Sequence, residues 1–318
     1  MMRWQGISHR RLARLWPGVA SLAAAAVVLA GHCGCDEGER PLAVWCETGA
    51  GPGQLMYPRA IAYSAGEDCF FVVDRTARIQ RLDAAGRCVL WWRMPEWENG
   101  KPVGLSIGPD GNLYVADTHY HRVMVYASDG RFVRQWGSYG SGPGQFMYPT
   151  DVAFDGAGNI YVSEYGDNDR IQVFEPRQLR VLRAIGRPGS GEGEFSRPQS
   201  IMVMDNCLYV ADSGNHRIAV FDLNGRFVRN LCAPGCGLGE LRFPYGLDVD
   251  LKGHLVVAEF GNNRVQVIDR HTGRGLRVWG RPGREEGQLA YPWALAVDKR
   301  GRVVVVDSGN NRLQVVGL

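Results

Sequence analysis

The chain has 318 residues, 36 of them basic and 33 acidic, for a formal net charge of +3. Its first 35 residues hold four of the basic residues and none of the acidic ones, leaving 32 against 33 in the rest. Apart from this leader the protein is close to neutral, which excludes the global positive field that draws proteins to nucleic acid.

The leader comes first. Arg3, Arg10, Arg11 and Arg14 precede an apolar run over residues 19–31, broken only by Ser21. Its 13 residues fit a secretory signal and fall short of the roughly 20 needed to span a bilayer. Counting back to Leu15 lengthens the run, so an uncleaved membrane anchor also fits. Leu29-Ala30-Gly31-His32-Cys33 resembles a bacterial lipoprotein signal with one histidine too many, which makes Cys33 and Cys35 lipidation candidates. All three readings export the rest of the chain, to the cell envelope on a membrane anchor or to the periplasm or exterior.

From Pro58 onward one pattern recurs six times. Each copy opens on a proline (Pro58, Pro102, Pro149, Pro198, Pro244, Pro292), 44 to 49 residues apart. An acid follows 14 to 16 residues later: Asp74, Asp117, Glu164, Asp212, Glu259, Asp307. An arginine stands four to six residues beyond it: Arg78, Arg122, Arg170, Arg217, Arg264, Arg312. Gly turns such as Pro109-Asp110-Gly111-Asn112 separate proline from acid, and a second set such as Asp129-Gly130 follows the arginine. Self-similarity at this period marks stacked supersecondary units. The runs between turns are short and rich in β-branched and aromatic residues, so they read as strands. In the second copy four strands are predicted, over residues 104–107, 113–116, 123–126 and 132–136. Four-stranded units of about 40–50 residues set around an axis are propeller blades. The expected fold is all-β, a six-bladed β-propeller of four-stranded antiparallel blades.

The sixth copy has strands near 294–297, 303–306 and 313–316, and then the chain ends. Its fourth strand is found at the other end. Leu42-Ala43-Val44-Trp45 matches Phe132-Val133-Arg134-Gln135-Trp136, and residues 49–58 mirror residues 140–149. The N-terminal strand is therefore predicted to pair into the last blade, which removes an exposed sheet edge. The chain divides into a leader over 1–35 and one propeller over 41–318, with residues 41–56 completing the sixth blade.

A substrate occupies one place in a ring, so residues copied six times are expected to be structural. The acid and arginine columns should form charge-assisted hydrogen bonds that fix the turn between second and third strands and hold neighbouring blades. Asn215, Asn263 and Asn311 suit turn positions with positive φ. Strands alternate up and down, so this turn shares a face with the loop leading to the next proline, and function is expected on that face. The residue after the proline does not repeat: Arg59, Val103, Thr150, Gln199, Tyr245, Trp293. Blades 5, 6 and 1 are neighbours, so Tyr245, Trp293 and Arg59 are expected as one aromatic–cationic wall at the channel mouth, the residue types that anchor ligands. Thr150 and Gln199 share the rim, and Asp151 and Asp248 add two acids on inner strands.

His119 and His121 flank Tyr120 in one turn and are the only weak metal candidates. Two ligands are too few, and no metal or other cofactor is expected. Cys232 and Cys236 share a loop and are candidates for a local disulfide in an oxidising compartment. Cys46, Cys69, Cys88 and Cys207 read as buried or semi-buried thiols.

Gly142-Pro143-Gly144-Gln145-Phe146 with Tyr148-Pro149, Asp110-Gly111-Asn112-Leu113-Tyr114-Val115-Ala116-Asp117, and Ser213-Gly214-Asn215-His216-Arg217-Ile218 resemble NHL repeats. The resemblance covers residues 41–318 and implies a six-bladed propeller of an exported bacterial type. It implies no single function, because such propellers serve many roles. One reading is a non-catalytic binding or scaffold module for a protein, peptide or glycan. The other is a metal-dependent enzyme. Amidating lyases that resemble NHL propellers use histidine-bound metal with a tyrosine and an arginine, and lactonases of related propellers use channel acids and an asparagine on calcium. No inner-strand histidine set matches the first pattern, and no inner-strand asparagine or glutamate accompanies Asp151 and Asp248 for the second. Binding is the expected function. Some intracellular NHL propellers of tripartite-motif proteins bind RNA, but the leader and the neutral charge argue against nucleic acid here. The membrane is met only through the leader, and a monomer is expected.

Overall fold

Short β-branched runs punctuated by Gly and Asp turns fold as six antiparallel sheets of four strands each. The computed structural model describes residues 40–318, so the leader, with Cys33 and Cys35, lies outside the described residues. Blade 1 comprises Ala60–Ser64, Cys69–Val73, Arg78–Asp83 and Cys88–Arg93, in that order from axis to rim. Cys69–Val73 is buried throughout because it has a neighbouring blade on each face. Cys88–Arg93 alternates half-buried and exposed, as an outer strand must. Blade 2 comprises Gly104–Ile107, Leu113–Asp117, Arg122–Tyr126 and Phe132–Trp136. Its second and third strands each reach one residue beyond the prediction, taking in the acid and the arginine as a cross-strand pair.

The apolar core is divided into six clusters, each between two neighbouring blades. The third residue after each opening proline supplies one member: Ile61, Leu105, Val152, Ile201, Leu247 and Leu295 are at most 7% exposed. Closure is by the N-terminal strand. Ala43–Trp45 pairs antiparallel with Arg312–Gly317, in the register Ala43↔Val315, Val44↔Gln314, Trp45↔Leu313. Trp45 is buried against Phe70 of blade 1, with ring centroids 5.5 Å apart, so it fastens the seam on both sides.

The turn between second and third strands is a single 3₁₀ turn in blades 2, 4 and 6: Thr118–Tyr120, Ser213–Asn215 and Ser308–Asn310. In five blades the residue just before the arginine takes the left-handed conformation, and in blade 3 Asp167 does, three residues before Arg170. Asn263 and Asn311 hold it as expected, at φ 52° and 55°. Asn215 does not. In blade 4 the left-handed residue is His216, at φ 57°, because the turn Ser213-Gly214-Asn215-His216 places the histidine next to Arg217. Asn215 instead donates to Gly189 O and to Asp212.

Candidate ligand site at the channel mouth

The site is framed by the repeat and placed where the repeat fails. Each acid lies 2.6–2.8 Å from its arginine in all six blades. In five blades the same carboxylate also accepts a backbone N–H from the loop leading into that blade: Met56, Met147, Ser196, Arg242 and Ala290, at 2.7–3.2 Å. In those blades the arginine donates back to a carbonyl of the same loop, at Gln54, Gln145, Glu194, Glu240 or Gln288. A glutamine column absent from the sequence reading completes the lock. Gln80, Gln172, Gln266 and Gln314, two residues after the arginine, are buried. Each donates to the carbonyl just named and accepts the N–H of Gly53, Gly144, Gly239 or Gly287. The signal was legible: a polar residue recurs at the centre of an otherwise apolar strand.

Blade 2 departs from this scheme. Its leading loop reads Met94-Pro95-Glu96-Trp97-Glu98-Asn99-Gly100-Lys101, without the Gly-rich turn of the other five. Arg122 keeps Asp117 but turns to Glu96, at 2.6 Å. Four buried polar atoms in this blade have no hydrogen-bond partner, three of them around this turn: Asp117 Oδ1, Thr118 Oγ1 and Arg122 Nη2, with Trp136 Nε1 on the outer strand. Native interiors leave few such groups, and each calls for an explanation.

The irregular loop closes one side of a cavity of about 440 Å³ over the channel mouth. Blades 1, 2, 3, 4 and 6 contribute Arg59, Lys101 with Thr118, Tyr165, Gln199 and Trp293. The expected wall is present. The Arg59 guanidinium lies 3.8 Å over the Trp293 ring and 4.6 Å over Tyr57. Tyr245 meets Trp293 edge-on at 4.9 Å and stacks on Phe260 at 4.6 Å. Tyr165 stacks on Tyr148 at 5.1 Å and carries Arg197 over its ring, also at 5.1 Å. Burial lowers Arg59 and Lys101 from their ordinary values, and for Lys101 the charges of Arg59 and Arg75 push the same way. Val103, Gln199 and Trp293 also line the axial channel of about 640 Å³, so the mouth opens onto it.

The other predicted rim residues turn inward. Thr150 is buried, its hydroxyl shared among Ser163 Oγ, Pro198 O and Gln199 O. Asp151 lines the channel and ties blade 3 to blade 4, accepting from Ile201 N at 3.0 Å and Ser200 Oγ at 2.8 Å. Asp248 does the same between blades 5 and 6, accepting from Val297 N at 2.7 Å. Burial pushes both carboxyls up to about 6. The two histidines are engaged locally. His119 Nδ1 accepts the Lys101 N–H at 3.1 Å, and His121 Nδ1 is bonded to Met147 O. Burial lowers His119, which favours its neutral form. Among the described residues no three His, Cys, Asp or Glu side chains come together to hold a metal. The disulfide expected between Cys232 and Cys236 is not formed in this structure. Cys232 is a thiol directed at Gly273 O, 3.6 Å away, and burial pushes it up to about 12.

Comparisons with known proteins converge on this architecture. The family described as SMP-30/Gluconolactonase/LRE-like region matches residues 57–291, and the NHL repeat matches residues 289–316. NHL repeat-containing protein 3 of Mus musculus is 26% identical over 203 residues, covering 59% of this chain and 58% of that protein. Peptidyl-glycine alpha-amidating monooxygenase of Mus musculus is 32% identical over 178 residues, covering 52% of this chain and 17% of that protein. The chain thus spans less than two thirds of either relative. A streptogramin B lyase structure superposes with a TM-score of 0.63 at 16% identity, over 85% of this chain and 96% of that one, which is a likeness of fold.

Proposed function

The chain belongs to the SMP-30/gluconolactonase/LRE-like family and carries NHL repeats, and we propose that it serves as an exported or envelope-anchored, non-catalytic binding module. Its ligand, a protein, peptide or glycan, seats on the channel-mouth face. The observation that carries the reading is the coincidence of two features in one place. The Arg59–Trp293–Tyr245 wall stands at the cavity whose far side is the one leading loop that abandons the repeat. Large aromatic and arginine side chains in a partly desolvated pocket are the usual anchors of an interface.

The test is the triple variant Arg59→Ala, Tyr245→Ala, Trp293→Ala, compared with the parent in capture from envelope extract and in thermal unfolding. Loss of the captured ligand, by roughly 30-fold or more in affinity, with the fold retained is expected. Undiminished capture would remove the reading.

One observation favours an enzyme instead. Asp151 and Asp248 line the channel with carboxyls near 6, a range suited to acid–base work. Both are committed to backbone N–H groups, and no donor set for a metal accompanies them among the described residues. Stoichiometric zinc or calcium in elemental analysis of the purified protein would move the weight to this second reading.

A further inference from the structure

We infer that the mouth cavity is a receptor for an oxyanion, a carboxylate or phosphate group of the ligand whose adjoining part lies against Trp293. The inference rests on the mouth being the binding face and adds the chemistry of what binds.

The cavity offers donors and positive charge, with little to balance them. Arg59 and Lys101 line it half-buried, Arg197 is at its edge, and Arg75 is close enough to depress Lys101. Among the described residues no carboxylate forms an ion pair with the side chain of any of these four, the Asp169 carboxylate accepting only the backbone N–H of Arg197, at 3.0 Å. Elsewhere the arginines divide: Arg134, Arg183 and Arg229 end on carbonyl oxygens, while twelve meet a carboxylate. All six repeat arginines have their acid, and Arg81, Arg87, Arg187, Arg270, Arg300 and Arg302 each have a carboxylate within 3.0 Å. The mouth differs in gathering Arg59, Lys101 and Arg197 around one cavity with no such carboxylate. Two further atoms point the same way. Arg59 Nε is buried without a partner, and so is Oγ1 of Thr118, a residue only 1% exposed in the cavity lining. Buried donors left open and like charges held together are both costly, and one acceptor-only, negatively charged group relieves both. Glu98 is the one acid in the lining and is solvent-exposed. The volume suits a small molecule or the end of a larger one, and the Trp293 face supplies the apolar surface beside the charge.

The experiment uses three probes on the intact propeller, followed by tryptophan fluorescence and thermal shift at low salt: benzoate, phenyl phosphate and the neutral isostere benzamide. At least one anion is expected to bind about tenfold or more tighter than benzamide, with affinity falling as salt rises. Preference for benzoate assigns a carboxylate ligand, and preference for phenyl phosphate a phosphate ester. Arg59→Gln and Lys101→Gln should each lose most of the anion's advantage, while Lys252→Gln on the opposite face changes nothing. Equal binding of all three probes, lost in Trp293→Ala, would overturn the oxyanion and leave the mouth as the binding face. No saturable binding by any probe, or anion binding indifferent to both Arg59→Gln and Lys101→Gln, would also overturn it.

Discussion

At the scale of single residues, the repeated acid is a hub rather than half of a pair. Asp212 accepts from Arg217 Nε, Asn215 Nδ2 and Ser196 N, three donors from two segments. Asp212→Ala leaves all three facing a cavity, so a loss of about 3 kcal/mol is expected, read by urea unfolding, with binding at the mouth retained under native conditions. Asp117→Ala should cost less. One oxygen of Asp117 has no partner to lose, and Arg122 keeps Glu96. A cost at Asp117 equal to that at Asp212 would contradict this account. Acid and arginine were legible because six copies made their columns visible. The glutamines recur in four copies, but their partners lie in loops about 27 residues away that no local pattern ties to them.

At the scale of elements, the closing strand and the blade-2 loop behave oppositely. Ala43–Trp45 is short, but its placement is over-determined by register and by the burial of Trp45 on Phe70. Trp45→Ala should cost about 3–5 kcal/mol and make the segment near residues 40–57 the first site of limited proteolysis. Cleavage elsewhere first would argue that the seam is not the weak point. The closing strand was readable because residues 41–58 copy a fourth strand and its following loop. The Met94–Lys101 segment could be read only as a departure. Nothing in its composition says that it would stand over the axis, bring Lys101 beside His119 and strand Thr118 without a partner. Those contacts follow from the blades on either side.

At the scale of the whole molecule, the channel sets a pH dependence. Asp151 and Asp248 have ordinary carboxyl values of 3.8 and are pushed up to about 6 in the folded ring. Between about pH 4 and 6 the folded chain retains protons that the unfolded chain has released. Their contribution to stability therefore falls as pH rises through that window and stays lost above it. The double variant Asp151→Asn, Asp248→Asn should flatten this part of the curve in denaturant titrations from pH 4 to 7. An unchanged slope would show that the two carboxyls ionise normally in the ring.

The sequence by itself determined the blade count, the strand order and the closure, because these follow from local alternation and from a period copied six times, and each copy repeats the same physical instruction. The tertiary structure alone decided which non-repeating residues share a space. Arg59, Lys101, Thr118, Arg197 and Trp293 come from four blades and meet only because the ring has closed. Thr150 and Asp151, adjacent to the rim in sequence, were turned to inter-blade hydrogen bonds for the same reason. Whether a polar side chain faces a ligand or a neighbouring strand is set by what the next blade offers it, and that is information no single blade contains.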